Sequence, residues 1–308
     1  MAINLESEWR GDYLVSSEMK KVWQVELDLL CELIRVCQEH QLRCWVDGGT
    51  LLGAVRHQGF IPWDDDIDVC MPRPDYDRLI ALGAHVFKTP YFLQSAYTDV
   101  DYFAGHAQLR NSQTAAIRPS ASFNPFNHGI FIDIFVLDGV PESEETRRNV
   151  WKEVRRTQHF LKAKNLKVLV SGRWLQGFRK LRAQWAVARY GWANIYRNAE
   201  DLLRATPYET SKQVAEISFS SYDIILDRHI FDDTVWLNFE DKMVPAPIGY
   251  DQLLRTQYGD DYMTPVRAAS YHGELVFDTE HSYRDIIGNV QRQYRRSLWN
   301  RFLMKAKK

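Results

Sequence analysis

The run Trp63-Asp64-Asp65-Asp66-Ile67-Asp68 concentrates more chemistry than any other stretch of this chain. If Asp66 to Met71 forms a strand, alternate side chains share a face, so Asp66 and Asp68 project together with Asp64 just upstream. Like charges so close cannot all stay ionised without a counter-ion. A divalent cation supplies that charge, and hard carboxylate oxygens suit Mg²⁺ or Mn²⁺. Most acidic runs are solvated turns. Here Ile67 and Val69 interleave with the acids and Pro62-Trp63 precedes them, which favours the metal reading.

Gly48-Gly49-Thr50 lies shortly upstream, between a short strand read at Arg43–Val46 and a helix read from Thr50 onward. Gly48 and Gly49 let a backbone approach a phosphate closely, the helix N-terminus offers free N–H groups, and Thr50 adds a hydroxyl. A glycine pair before a helix is by itself a common turn. Followed by paired strand carboxylates, it suits metal-assisted transfer of a phosphorus centre.

Ile130 to Leu137 is an apolar run with one charge in its middle, Asp133. Burying that carboxylate unpaired would cost several kcal/mol, so it needs a partner. A structural salt bridge is the plain alternative; a third metal ligand facing Asp66 and Asp68 across neighbouring strands is the better account. Asp138, before Gly139 and Pro141, reads as a turn or helix-cap residue. Arg56, about one helical turn beyond the glycines, is placed to clamp a phosphate bidentately. Arg110, on a predicted strand, has an equal claim to that role and to a structural one. Trp63 and His57 read as packing residues rather than substrate contacts, and Tyr258 and Asp260 are weaker candidates for the acceptor side.

The stretch from Val46 to Asp68, VDGGTLLGAVRHQGFIPWDDDID, resembles the central motif of the LicD family, phosphocholine transferases of bacterial surface glycans related to fukutin and fukutin-related protein. Gln108–Thr114, Gly129–Asp138 and Tyr258–Met263 are similar to its further motifs, the last only weakly. The resemblance implies an α+β fold, nucleotidyltransferase-like as in DNA polymerase beta, with a mixed-sheet core and an added helical region. It implies Asp66, Asp68 and Asp133 as the catalytic carboxylates holding Mg²⁺ (or Mn²⁺), with Gly48, Gly49, Thr50, Arg56, Asp64 and Arg110 around the substrate. The donor would be CDP-choline or another CDP-alcohol. The acceptor would be a hydroxyl of a surface polysaccharide, lipopolysaccharide or teichoic-acid-like glycan, lipid-linked in some cases. Metal chemistry alone does not choose the phosphorus attacked, so nucleotidyl transfer to a sugar or small molecule is the alternative. A catalytically silent glycan-binding protein is a third reading, against which all three carboxylates count.

These residues have to be positioned by a chain of 308 residues, 45% hydrophobic, enough for one large domain or two smaller ones. Lys and Arg total 39 against 40 Asp and Glu, which argues against a nucleic-acid binder. The first residues lack the pattern of a signal peptide, no apolar run is long enough to span a bilayer, and Cys31, Cys37, Cys44 and Cys70 lack zinc-like spacing. The expectation is a cytoplasmic protein with reduced thiols. Trp23, Leu27, Leu30, Ile34 and Cys37 recur at helical spacing, predicting a helix from Ser17 to His40. A helix over Pro74–Leu82 and strands near Tyr91–Tyr97, Gly105–Arg110 and Ile130–Leu137 complete a catalytic core over 1–140. A basic helical region over 141–210 and a C-terminal segment over 211–308, packing back on the core, follow.

Between Arg147 and Arg197 basic residues abound, among them Lys164, Lys167, Arg173, Arg179, Lys180, Arg182 and Arg189, and Glu153 is the single acid. Trp174, Leu175, Phe178, Leu181, Trp185 and Trp192 interleave with them. The plainer reading packs these aromatics onto the α/β core and solvates the charges. The alternative is an interfacial element resting on the inner face of a membrane.

Overall fold

The computed structural model describes residues 3–99, 101–163, 174–218, 224–267 and 275–306. Lys164, Lys167 and Arg173 of the basic stretch lie outside them, as do the side chains of Trp174 and Leu175. A short hairpin, β1 (Glu8–Arg10) and β2 (Tyr13–Val15), leads into α1 (Ser17–Glu39). The helix starts where the Ser16 hydroxyl accepts from the Met19 amide at 3.2 Å, satisfying one of the free N–H groups of the first turn. Of the predicted stripe, Trp23, Leu27, Leu30 and Cys37 are buried and Ile34 is half-buried, with Leu33 buried beside them. The helix lies against strands β6 (Ala107–Asn111) and β8 (Ile130–Gly139) of the central sheet.

That sheet is mixed. The chain passes through β3 (Trp45–Val46), α2 (Gly48–His57), β4 (Asp68–Pro72), α3 (Arg73–Leu82), β5 (Tyr91–Gln94), β6, β7 (Ala115–Ile117) and β8. Strand β4 runs parallel to β8, with Asp68 level with Asp133 and Pro72 level with Leu137. Strand β3 flanks β4, while β6 pairs antiparallel with the first half of β8 and places Gln108 level with Asp133. The far end of β8 takes up β9 (Gln213–Ala215), which pairs with β10 (Leu226–Asp227). All ten residues of β8 are buried, as an uninterrupted apolar run in a two-sided strand requires.

Boundaries differ from the sequence reading at informative places. Strand β4 begins at Asp68 and not at Asp66, so Asp64–Ile67 is an irregular segment free to converge on itself. Helix α2 begins at Gly48, two residues before Thr50. Asp138 is no turn or cap residue. It extends β8, is fully buried, and accepts two hydrogen bonds from Arg73 at 2.6 and 2.9 Å. A guanidinium fork meets a planar carboxylate there, the geometry in which a buried charge pair is satisfied.

Three helices follow, α4 (Glu144–Ala163), α5 (Trp174–Tyr190) and α6 (Trp192–Arg204). Val150, Trp151 and Val154 of α4 pack with Ala199 and Leu203 of α6. The chain then returns through hairpin β11 (Thr234–Phe239) and β12 (Lys242–Pro247), α7 (Tyr250–Tyr258), β13 (Val276–Asp278) and α8 (Tyr283–Ala306). Phe239, Val244, Ala246, Leu253 and Leu254 join the same core as Trp23 and Val69. Glu240, at the hairpin turn, accepts both Arg10 nitrogens at 2.5 and 2.8 Å and the Phe60 amide at 3.0 Å, pinning the N-terminal hairpin to the segment before the acidic run. Gly59 sits where any side chain would collide with that carboxylate.

Candidate active site

The glycine turn and the acidic segment meet face to face. Gly48 adopts φ +53°, a conformation glycine tolerates and other residues resist, and a Cβ there would lie 3.1 Å from Asp68 Oδ2. A Cβ on Gly49 would come within 2.6 Å of Asp64 Oδ2. The two glycines therefore make room for two carboxylates as well as freeing the helix terminus. One oxygen from each of Asp64, Asp65 and Asp66 lies within 4.8 Å of the others, so Asp65, absent from the sequence-derived set, belongs to the cluster. Thr50 plays a different part from the expected phosphate donor. It is buried, and its hydroxyl accepts from the Asp68 amide at 2.8 Å, fastening the start of β4 to α2.

Asp133 stands beside Asp68 on the same sheet face, because residues level with each other on adjacent strands point the same way. Its Oδ1 receives Gln108 Nε2 at 2.7 Å and lies 2.9 Å from His106 Nε2. Gln108, Asp133 and Asp68 thus form a row across β6, β8 and β4. Arg110, expected at the substrate, is enclosed instead. Its guanidinium donates to Gln94 Oε1 at 2.5 Å, to the Gly129 carbonyl at 2.6 Å and to Gln108 Oε1, and it lies over the Phe131 ring. Burial pushes its pKa down to about 10, leaving it charged at neutral pH. It acts on Asp133 at one remove, by orienting the amide of Gln108.

The expected trio of Asp66, Asp68 and Asp133 does not close to the 4.8 Å that the loop acids reach. The acids divide into a loop set, Asp64 to Asp66, and a strand pair, Asp68 and Asp133. Two groups couple the sets. Glu26 of α1 is 1% exposed, and burial, reinforced by Asp66, Asp65, Asp64 and Asp133, holds its pKa well above the usual carboxylate range. Its Oε2 has no hydrogen-bond partner among the described residues. Tyr258, at the end of α7, is pushed up by burial and by Asp47, Asp68, Asp64 and Asp66. Glu216 is likewise raised by burial and by its hydrogen bond to and charge repulsion from Asp47. The loop acids form a convergent, oxygen-only donor set with the buried Glu26 carboxyl at its border, and such a set fits a hard divalent cation. Asp64, Asp65, Asp66, Asp68 and Asp133 are the residues that would hold it.

Arg56 lies in the last turn of α2, eight residues from Gly48, or about 12 Å along the helix. It donates to the Tyr262 carbonyl at 2.8 Å and to His57 Nε2 at 2.9 Å, so it tethers the 258–264 segment and does not complete a cradle at the glycines. Asp260 is exposed and pairs with Arg255 at 3.2 Å. Trp63, immediately before the acidic run, borders a cavity of about 700 Å³ shared with Arg10, Asp12, His57, Glu240 and Arg267. Trp63 and Tyr13 meet edge to face at 6.1 Å, and the Arg267 guanidinium lies over both rings at 5.5 and 4.9 Å. Trp63 is thus partly open to a cavity and not wholly core.

Residues 41–171 match the family model of the LicD/FKTN/FKRP nucleotidyltransferase domain. The matched span contains the glycine turn, the acidic segment and β8, the elements that build this site. Among individual relatives, the lipopolysaccharide cholinephosphotransferase LicD of Haemophilus influenzae is 27% identical over 260 residues, 80% of this chain and 93% of its own. An uncharacterized protein of Rickettsia prowazekii is 32% identical over 145 residues, 45% of this chain and 50% of its own. The human ribitol 5-phosphate transferase FKRP is 46% identical over 37 residues, 12% of this chain and 8% of its own.

Proposed function

We propose that this chain is a Mg²⁺-dependent transferase of nucleotidyltransferase-like fold that moves phosphocholine, or a related phospho-alcohol, from a CDP-activated donor to a sugar hydroxyl of a bacterial surface glycan. The observation that carries the reading is the meeting of the glycine turn with Asp64 and Asp68 beside Asp133. A matched relative transfers phosphocholine to lipopolysaccharide and another transfers ribitol 5-phosphate, which supports phospho-alcohol transfer as the common chemistry.

A bound divalent cation would neutralise diphosphate oxygens and lower the pKa of an acceptor hydroxyl. The start of α2 lies beside Asp64 and Asp68, and a helix N-terminus favours an anion such as a phosphate near it. Asp133, its Oδ1 fixed by Gln108 and His106, is oriented to take the acceptor proton. The acceptor oxygen forms a bond to the phosphorus bearing the alcohol, the bridging P–O bond breaks, and CMP leaves with that electron pair. The compartment this reading assigns is the cytoplasm, with peripheral contact at the inner face of the membrane.

The test is incubation with a CDP-alcohol, Mg²⁺ and acceptor glycan. CMP should appear, and Asp66→Asn and Asp68→Asn should each reduce its release by on the order of a hundredfold or more while leaving the circular dichroism spectrum unchanged. Pyrophosphate release from a nucleoside triphosphate, with labelled nucleotide on the acceptor, would replace this reading with nucleotidyl transfer.

A further inference from the structure

Helix α5 carries apolar surface on its outer side. Phe178, Leu181 and Trp185 are 56%, 66% and 63% exposed, and their spacing places them on one face of the helix. The opposite face is the seated one: Ala183 is fully buried, and Val187 packs with Trp192 against Phe103, Leu161 and Tyr196. The expectation that these aromatics all pack inward holds for Trp192 and fails for Phe178 and Trp185. An ordinary surface helix turns polar residues to water, so this one has two apolar sides, one of them open.

The charges around the open side say what fits it. Trp174–Tyr190 contains Arg179, Lys180, Arg182 and Arg189 and no acidic residue. The Arg182 guanidinium lies 5.9 Å from the Phe178 ring and that of Arg189 lies 5.4 Å from the Tyr190 ring, so cations collar the aromatic stripe. A second copy of the chain is disfavoured as the occupant, since a two-fold contact through this face would set each basic collar against its duplicate. Anionic headgroups above acyl chains present negative charge and apolar depth together, matching both features of the face. No helix among the described residues is long and apolar enough to cross a membrane, so the geometry is that of a helix lying on one.

We propose that the outer face of α5 docks the protein on the surface of an anionic lipid bilayer. The inference is independent of the transfer reaction. Its test is co-sedimentation of the full chain with vesicles of phosphatidylcholine alone or mixed with phosphatidylglycerol. Binding should require the anionic lipid and fall at high salt. The triple variant Arg179→Gln, Arg182→Gln, Arg189→Gln should bind on the order of a hundredfold more weakly, and Leu181→Ser with Trp185→Ser about tenfold or more. These side chains face outward, so thermal unfolding of both variants should match the parent. Quenching by brominated lipid should diminish in Trp185→Phe. Equal sedimentation with neutral and anionic vesicles, or undiminished binding by the triple variant, would overturn the proposal. So would a dimer in analytical ultracentrifugation that Trp185→Ser dissolves, which would make the face a contact between copies.

Discussion

At the scale of single residues, the candidate site depends on side chains that hold other side chains in place. Gln108 donates to Asp133 and is itself held by buried Arg110. Removing such a supporting hydrogen bond typically lowers activity 10–100-fold, and Gln108→Ala is expected to lower CMP release by about that factor, with Gln108→Glu no better, since a carboxylate would repel Asp133. Glu26 gives a pH test. Its folded pKa is raised by burial, whereas the unfolded chain gives up the proton near the ordinary 4.5. Its contribution to stability is therefore full below that pH and is lost as pH rises toward the folded value. In cation-free buffer, Glu26→Gln is expected to be more stable than the parent near neutral pH, the gap closing as pH falls toward 4.5. Denaturation midpoints at both pH values check it; a variant less stable at both would show that the carboxyl is needed as an acid.

At the scale of elements, much was legible. The periodicity of α1, the acidic segment, the glycine turn and the buried Asp133 strand can all be read because their chemistry is local and dense. Gln108, His106, Glu26 and Glu216 escape such a reading because only tertiary contact brings them to the site; Glu26 looks like one more polar residue on an amphipathic helix. Arg56 and Arg110 mislead for a related reason: an arginine near a motif looks the same whether it faces a phosphate or a backbone carbonyl. Helix α8 gives weak warning, its buried Val290 and half-buried Ile286 and Ile287 being few among charged neighbours. The Arg73–Asp138 pair is the element-scale test. Asp138→Ala leaves a buried guanidinium without its counter-charge, and a loss of about 3–5 kcal/mol in unfolding free energy is expected by chemical denaturation. Replacing both with apolar residues of similar volume should recover much of it.

At the scale of the molecule, the concentrated negative charge of the site is a liability that a divalent cation would relieve. Mg²⁺ at a hundred times its Kd is expected to raise the unfolding free energy by about 2.7 kcal/mol, seen as a higher Tm in Mg²⁺ than in chelator. Asp66→Asn should shrink the difference. An unchanged Tm in the parent across a wide Mg²⁺ range would count against the cation site. The basic, aromatic outer side of α5 lies in a separate region of sequence, so the two charge extremes of a chain with net charge of only −1 are kept on different elements.

The residues around the acidic segment come from Glu26, Asp47, Asp133, Glu216 and Tyr258, spread over most of the chain. On a ribosome adding 5–20 residues per second, roughly ten to fifty seconds separate the emergence of Glu26 from that of Tyr258. The apolar stripe of α1 stays uncovered until β6 and β8 have emerged, and the edge of β8 that takes β9 stays bare until residues 213–215 arrive. The five acids that would hold a cation all lie before residue 140, so what the last third adds to the site is the Tyr258 hydroxyl close to Gly48 and the packing of Leu253 and Leu254 into the core.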